Sequence, residues 1–192
     1  MTSPAAARIN PWIIVGLCFL TLAIVLSARQ SVAIMTGEWV RTLGWSRTFI
    51  GTGQSMVLIT IAIVAPITGH YVDRHGLRTL LSCGLLTVAA GLASFAIYPG
   101  AVVYILGYGL LGGLGFAASN DHVISAAVAR VFQQRRGLAI GIASSGGTAG
   151  QFIAVPLLTA SLGYFSWRWS LLAAAAACIA LAITIWIVLA PI

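Results

Sequence analysis

The chain has 192 residues, of which 60% are hydrophobic and 7% are charged, with a mean hydropathy of +1.03 and a net charge of +7. About a quarter of the residues in a soluble domain are charged, so this composition excludes a soluble globular domain. The positive charge comes from arginine alone, since the chain has no lysine. No basic run carries interleaved aromatic residues, so we expect the arginines to set topology and to contact anionic lipid rather than nucleic acid.

Several apolar runs exceed the length of about 18 residues that a helix needs to cross a bilayer. The sequence therefore predicts an all-α membrane protein that forms a single bundle over residues 1–192. A strong turn signal, Pro99-Gly100, separates the third run from the fourth. The six predicted helices cover about residues 11–35, 49–69, 79–98, 101–128, 137–162 and 169–189.

The arginines between these runs predict the orientation of the chain, because short cytoplasmic loops carry the excess of basic residues. The two ends of the predicted bundle hold six and three arginines: Arg8, Arg74, Arg78, Arg130, Arg135 and Arg136 at one, and Arg41, Arg47 and Arg168 at the other. We therefore place both termini in the cytoplasm. Trp39, Trp45, Trp167 and Trp169 are predicted to form an aromatic belt at the outer interface.

Cofactors and metals are not expected. Cys18, Cys83 and Cys178 lie in separate apolar runs without CxxC spacing, which argues against disulfides and metal sites. No catalytic Ser/His/Asp arrangement and no phosphate-binding loop falls at membrane depth, so we predict that the protein is not an enzyme. A channel is disfavoured, since there is no ring of like charges and no filter-like loop.

Small residues recur at helical spacing in the fifth run, where Gly137 and Gly141 and then Gly146 and Gly150 form two Gly-x-x-x-Gly pairs. Helices associate closely in lipid through such residues. The same faces can serve tight packing or line a substrate path, and the spacing is compatible with both.

A charged segment bounded by glycines joins the second and third runs. Gly69, Asp73, Arg74, Gly76 and Arg78 form the pattern Gly-x-x-x-Asp-Arg-x-Gly-x-Arg. This pattern resembles the cytoplasmic loop between the second and third helices of major facilitator superfamily transporters. The resemblance implies a conformational latch, in which the carboxylate of Asp73 accepts hydrogen bonds from a helix N-terminus or pairs with Arg130.

The loop before the fifth run and the run itself resemble the monocarboxylate porter branch of that superfamily, which includes the oxalate/formate antiporters. The residues that carry this resemblance are Phe132, Arg135, Arg136, Gly137, Leu138, Ala139, Gly141, Ala143, Ser145, Gly146 and Gly150, with Gly112–Gly115, Gly163, Trp167 and Arg168 elsewhere. It implies half of a major facilitator fold, built as a 3+3 inverted repeat of helices.

Such a half implies a secondary transporter that moves a small organic anion by alternating access, as a proton symporter or an antiporter. The partner would be a second six-helix half, either a separate C-terminal half or a second copy in a homodimer. The alternative is a non-transporting fragment or a membrane assembly partner. The alanine and glycine richness without lysine is typical of a GC-rich bacterial genome, so we expect a bacterial inner membrane location.

Arg29 is the charged residue deepest in the first run, about 7 Å outward of its predicted middle. Intramembrane arginine is costly and functional by default, and guanidinium binds carboxylates through two parallel hydrogen bonds. The position resembles that of a substrate-binding basic residue in monocarboxylate porters, although a long side chain could also reach the outer interface. Tyr108, Gln151 and His122 complete the predicted substrate site. Gln54 is expected to form an interhelical hydrogen bond.

Asp121 is the one acidic residue inside a predicted span. Burial of a carboxyl group favours its protonated form, which makes Asp121 a candidate for proton coupling. A structural pair with an arginine, such as Arg130, is the alternative. His122 follows it, but helical spacing turns the two side chains about 100° apart.

Overall fold

The computed structural model describes residues 11–132 and 134–189, except for the side chains of residues 69, 70 and 72–75. Over that part the regular secondary structure is entirely helical, and six helices are long and apolar enough to cross a membrane. They are α1 (Pro11–Leu43), α2 (Arg47–Thr68), α3 (Gly76–Ile97), α4 (Ala101–Val131), α5 (Arg136–Tyr164) and α6 (Trp167–Val188). The outer end, as we use the term, holds the short connections at residues 44–46, 98–100 and 165–166.

Helix α1 continues eight residues beyond its predicted end at residue 35. Glu38 and Arg41 lower the hydropathy of this last stretch, but they form an ion pair three residues apart along the helix surface, a spacing that supports a helix. The predicted loop at residues 36–48 is therefore mostly helical. The connection to α2 is reduced to residues 44–46, where Gly44 has a positive φ of 68°.

The charged segment between α2 and α3 is not a loop either, because helical backbone runs from Arg47 to Ile97 with an interruption at Gly76. Gly76 has φ 79° and ψ 162°, a conformation open to glycine almost alone. The glycine thus supplies the change of direction that the sequence pattern predicted for this segment.

Helix α4 is irregular in two places. Tyr104–Gly112 forms a π-helix, and the helix is interrupted at Ser119 and Asn120, where the Asn120 side chain accepts a hydrogen bond from the backbone N–H of Asp121. Broken helices are tolerated at membrane depth where protein packs around them. The π-helix lies against α2 and α3, and the Ser119 side chain at the second irregularity is buried beside Gly84 of α3.

Helices from the first three spans pack against helices from the last three. Helix α1 packs mainly against α5, and also α6, whereas α4 packs against α2 and α3. Close approach depends on glycine in both cases. Gly91 of α3 faces the backbone of Gly107 and Gly112 in α4, and Gly146 and Gly150 of α5 face the backbone of α1.

The outer end is filled by an aromatic cluster rather than by an interfacial belt. Trp39 is fully buried, with its ring centroid 4.9 Å from Phe95, 5.6 Å from Tyr104 and 5.7 Å from Trp167. Edge-to-face packing of this kind stabilises beyond the area that it buries. The belt prediction is therefore wrong for Trp39 and Trp167, because α1 carries Trp39 into the core, while Trp169 remains 66% exposed.

Burial differs greatly between the helices. The most apolar stretches of α2 and α5 are each 22% buried, against 61% for α3. Within the described residues, α2 and α5 thus have the smallest share of buried residues among the six helices.

Candidate functional site

Arg29 lies at the middle of α1. Because the helix runs to Leu43, Arg29 is two residues from its central residue Ser27, or about 3 Å along the axis. The side chain is half-buried. Among the described residues, no hydrogen bond or ion pair neutralises its guanidinium. An arginine at this depth without an acidic partner is available for an anionic ligand.

Tyr108 connects Arg29 to two other helices. Its hydroxyl lies 3.4 Å from the backbone carbonyl oxygen of Arg29 and 3.2 Å from Oε1 of Gln54, so it can donate to either. Tyr108 is buried, and Gln54 on α2 forms the kind of interhelical hydrogen bond predicted for it. The α1 backbone at Arg29 and the side chains of Gln54 on α2 and Tyr108 on α4 therefore meet at one polar point near the middle of α1.

The π-helix of α4 positions Tyr108. Tyr104 and Tyr108 stack within it, with centroids 5.6 Å apart and an interplanar angle of 4°. The Tyr104 hydroxyl donates to the carbonyl oxygen of Ile50 at 2.7 Å, which ties α4 to the start of α2. Isolated π-turns are frequent at functional sites. Apart from a high glycine content, this stretch carries no sequence signal that would have separated it from an α-helix.

Asp121 forms a second polar point, closer to the inner end. The Ser144 hydroxyl of α5 donates to its Oδ1 at 2.6 Å. Arg130, the predicted alternative partner, lies nine residues further along the same helix, about 13 Å along its axis. The stretch Ser-Asn-Asp is a typical helix start, and this signal could have predicted the interruption before Asp121.

The structure does not bring all predicted substrate residues together. More than three helical turns of α4 separate His122 from Tyr108. His122 is exposed beside Asp121, and Gln151 is half-buried on α5. Neither forms a hydrogen bond with Arg29 or Tyr108 in the described part of the chain. Arg29 and Tyr108 are thus the two predicted residues that meet.

The predicted latch is described in part. The side chains of Asp73 and Arg74, and Gly69 with them, lie outside the described residues, so their pairing stays a prediction. Gly76 marks the interruption before α3. The Arg78 guanidinium lies over the Trp186 ring of α6, 3.9 Å from its centroid, and Arg130 is exposed at the end of α4.

These features define a multi-span α-helical membrane protein with an arginine-centred polar site at mid-depth. The sequence model of the Major Facilitator Superfamily matches residues 12–192. The chain therefore belongs to the major facilitator superfamily.

Two of the similar curated proteins are monocarboxylate transporters. Monocarboxylate transporter 12 of Xenopus laevis is 30% identical over 162 residues, which cover 84% of this chain and 35% of the relative. Monocarboxylate transporter 12-B of Danio rerio is 31% identical over 169 residues, which cover 84% of this chain and 34% of that protein.

A bacterial relative is also similar. The uncharacterized MFS-type transporter YcxA of Bacillus subtilis is 25% identical over 122 residues, which cover 64% of this chain and 30% of that protein. The chain thus spans about a third of the length of the curated relatives it matches.

Proposed function

We propose that this chain forms one half of a secondary transporter that moves a small organic anion, such as a monocarboxylate, by alternating access. The observation that carries the proposal is Arg29, an arginine near the middle of α1 without an acidic partner among the described residues, whose backbone carbonyl lies within reach of the Tyr108 hydroxyl. The similarity to monocarboxylate transporters, taken with this site, favours a carboxylate as the ligand.

The guanidinium of Arg29 would bind the two carboxylate oxygens through parallel hydrogen bonds. Tyr108 is already committed to Gln54 and the α1 backbone, so its role is to hold α1, α2 and α4 in register around the arginine.

The second half of the transporter would cover the exposed faces of α2 and α5. These helices bury the smallest share of their apolar stretches. Alternating access requires two bundles that rock around a site between them. The missing bundle is either a further six-helix half or a second copy of this chain.

Orientation and location belong to the same proposal. The arginine distribution favours cytoplasmic termini, and the composition favours a bacterial inner membrane. The assignment of Asp121 to proton coupling is also part of this proposal, because its carboxyl group contacts α5 through Ser144 alone among the described side chains.

Substitution of Arg29 tests this function. Charge-assisted hydrogen bonds contribute about 1.5–3 kcal/mol, so Arg29→Gln is expected to weaken carboxylate binding about tenfold to hundredfold. Arg29→Lys keeps the charge but loses the geometry that binds two oxygens. Its carboxylate affinity should lie between those of the wild type and Arg29→Gln. The measurements are binding of radiolabelled L-lactate and oxalate to the chain in nanodiscs, and uptake by proteoliposomes.

Arg168→Gln is the matched control, since Arg168 is an exposed arginine at the outer end. Wild-type binding retained in full by the folded Arg29→Gln protein would contradict the proposal.

A further inference from the structure

We propose that a second anion-binding site lies at the outer end of the bundle, where Arg41 and Arg47 face a vestibule between α1, α5 and the start of α2. It would capture the carboxylate before the anion reaches Arg29. This inference rests on the transport function proposed above and adds to it a separate entry site.

The vestibule has a volume of about 620 Å³ and is lined by Glu38, Arg41, Arg47, Thr159 and Gly163 among others. Small-molecule sites in proteins commonly enclose about 300–1,000 Å³. The cavity is therefore large enough for a small organic anion together with its water.

The charged residues of the vestibule leave a net charge of +1, because two arginines face one glutamate. Arg41 pairs with Glu38 and is 77% exposed, and exposed pairs of this kind bind each other weakly. Arg47 is exposed and forms no hydrogen bond or ion pair with any residue that the structure describes. Its guanidinium is therefore available to a ligand.

The position of Arg47 is unfavourable for the helix that carries it. Arg47 is the first residue of α2, after the Ser46 cap, and a cation at a helix N-terminus opposes the helix dipole. The dipole and the arginine together raise the positive potential of the vestibule. An arginine that works against its own helix suggests a role in binding rather than in folding.

A stripe of small and polar residues leads from the vestibule along α1 towards Arg29. In the outer half of α1, the exposed residues Gln30, Ala33, Gly37 and Arg41 recur at intervals of three and four, which places them on one side of the helix. This stripe contains no large apolar side chain. The exposed side of α6 is different, since it presents Ile183, Trp186 and Ile187 and is suited to lipid.

The two arginine sites are separate. Arg41 lies twelve residues beyond Arg29, about 18 Å along α1. This distance is roughly twice the screening length at physiological salt, about 8 Å. At this separation, one small carboxylate cannot contact Arg29 and the outer arginines at the same time. The outer arginines raise its local concentration at the entrance.

The experiment measures binding of radiolabelled oxalate and L-lactate to the 192-residue chain in phosphatidylcholine nanodiscs, at low salt and at about 0.5 M salt. The Arg47→Gln variant is expected to bind oxalate about fivefold more weakly at low salt. The effect should be smaller for L-lactate, which carries one charge, and should disappear at high salt. Arg168→Gln removes the same charge at the same end but lies over the Trp167 ring, outside the vestibule, and is expected to bind like the wild type.

Each outcome decides between the two proposals. If Arg47→Gln and Arg168→Gln bind equally well, the vestibule site is overturned while an effect of Arg29→Gln still supports the transport site. If Arg47→Gln weakens binding and Arg29→Gln and Arg168→Gln do not, the result supports the vestibule site and contradicts carboxylate binding at Arg29. Absence of carboxylate binding by the wild-type chain overturns both. The same comparison is made in phosphatidylglycerol nanodiscs. A loss of binding found only in that lipid assigns Arg47 to lipid headgroups and also overturns the vestibule site.

Discussion

Arg29 and Asp121 are charged residues at different depths. The different roles proposed for them correspond to different surroundings. Arg29 is at the centre of α1, where its side chain has no acidic partner among the described residues. Asp121 begins the last segment of α4, where the helix dipole favours a negative charge and Ser144 donates to its carboxylate. The proposed role of Arg29 is to bind the ligand, and the proposed role of Asp121 is to couple transport to protons.

Substitution of Asp121 tests the role in proton coupling. Asp121→Asn keeps the shape of the side chain and its contact with Ser144 but cannot exchange a proton at physiological pH. We expect uptake driven by a pH gradient to be lost and anion exchange without a gradient to persist in proteoliposomes. Ser144→Ala is the companion variant, which should retain both activities at a lower folded yield. Loss of both activities together with folding in Asp121→Asn would indicate a structural role instead.

The contact between α1 and α5 shows how glycine positions with the same spacing differ in use. Gly146 and Gly150 face the backbone of α1 at Phe19 and Ala23, whereas no heavy atom lies within 4 Å of a side chain added at Gly137 or Gly141. One Gly-x-x-x-Gly pair therefore packs a helix interface. The other leaves a bare surface at the inner half of α5.

Alanine substitutions distinguish the two pairs. Gly146→Ala and Gly150→Ala each place a methyl group against backbone that cannot move aside, and overpacking of this kind costs about 1–3 kcal/mol. Gly141→Ala is the control and is expected to be neutral or stabilising by up to about 1 kcal/mol, because alanine favours a helix more than glycine does. Thermal unfolding in a mild detergent measures the difference. Equal melting temperatures for all three variants would contradict the packing described here.

At the scale of the whole molecule, the bundle is closed on one side and open on the other. Helix α3 is largely enclosed by α4 and α6, while α2 and α5 have the smallest share of buried residues. A second six-helix bundle over α2 and α5 would place Arg29 between two halves. A pair of identical chains satisfies this arrangement if both insert in the same direction.

The mass of the purified chain in lipid nanodiscs tests the pairing of identical chains. A homodimer is expected to appear at twice the chain mass of 20.0 kDa and to persist on dilution. Substitution of exposed α2 residues by bulky ones, such as Ser55→Trp, should dissociate it, while the same change at Ala180, exposed on α6, should not. A stable monomer would contradict self-pairing.

The sequence by itself determined the class of protein and the number of spans. Apolar runs long enough to cross a bilayer require helices, because lipid offers backbone groups no hydrogen-bond partners. It could not determine where α1 ends, because Glu38 and Arg41 lower the hydropathy of a stretch that packs as helix. Nor could it determine that Trp39 is buried, that Tyr108 meets Arg29 and Gln54, or which glycine pair forms a contact. Those features depend on which helices become neighbours, and contacts between residues far apart in the chain arise only when the bundle closes.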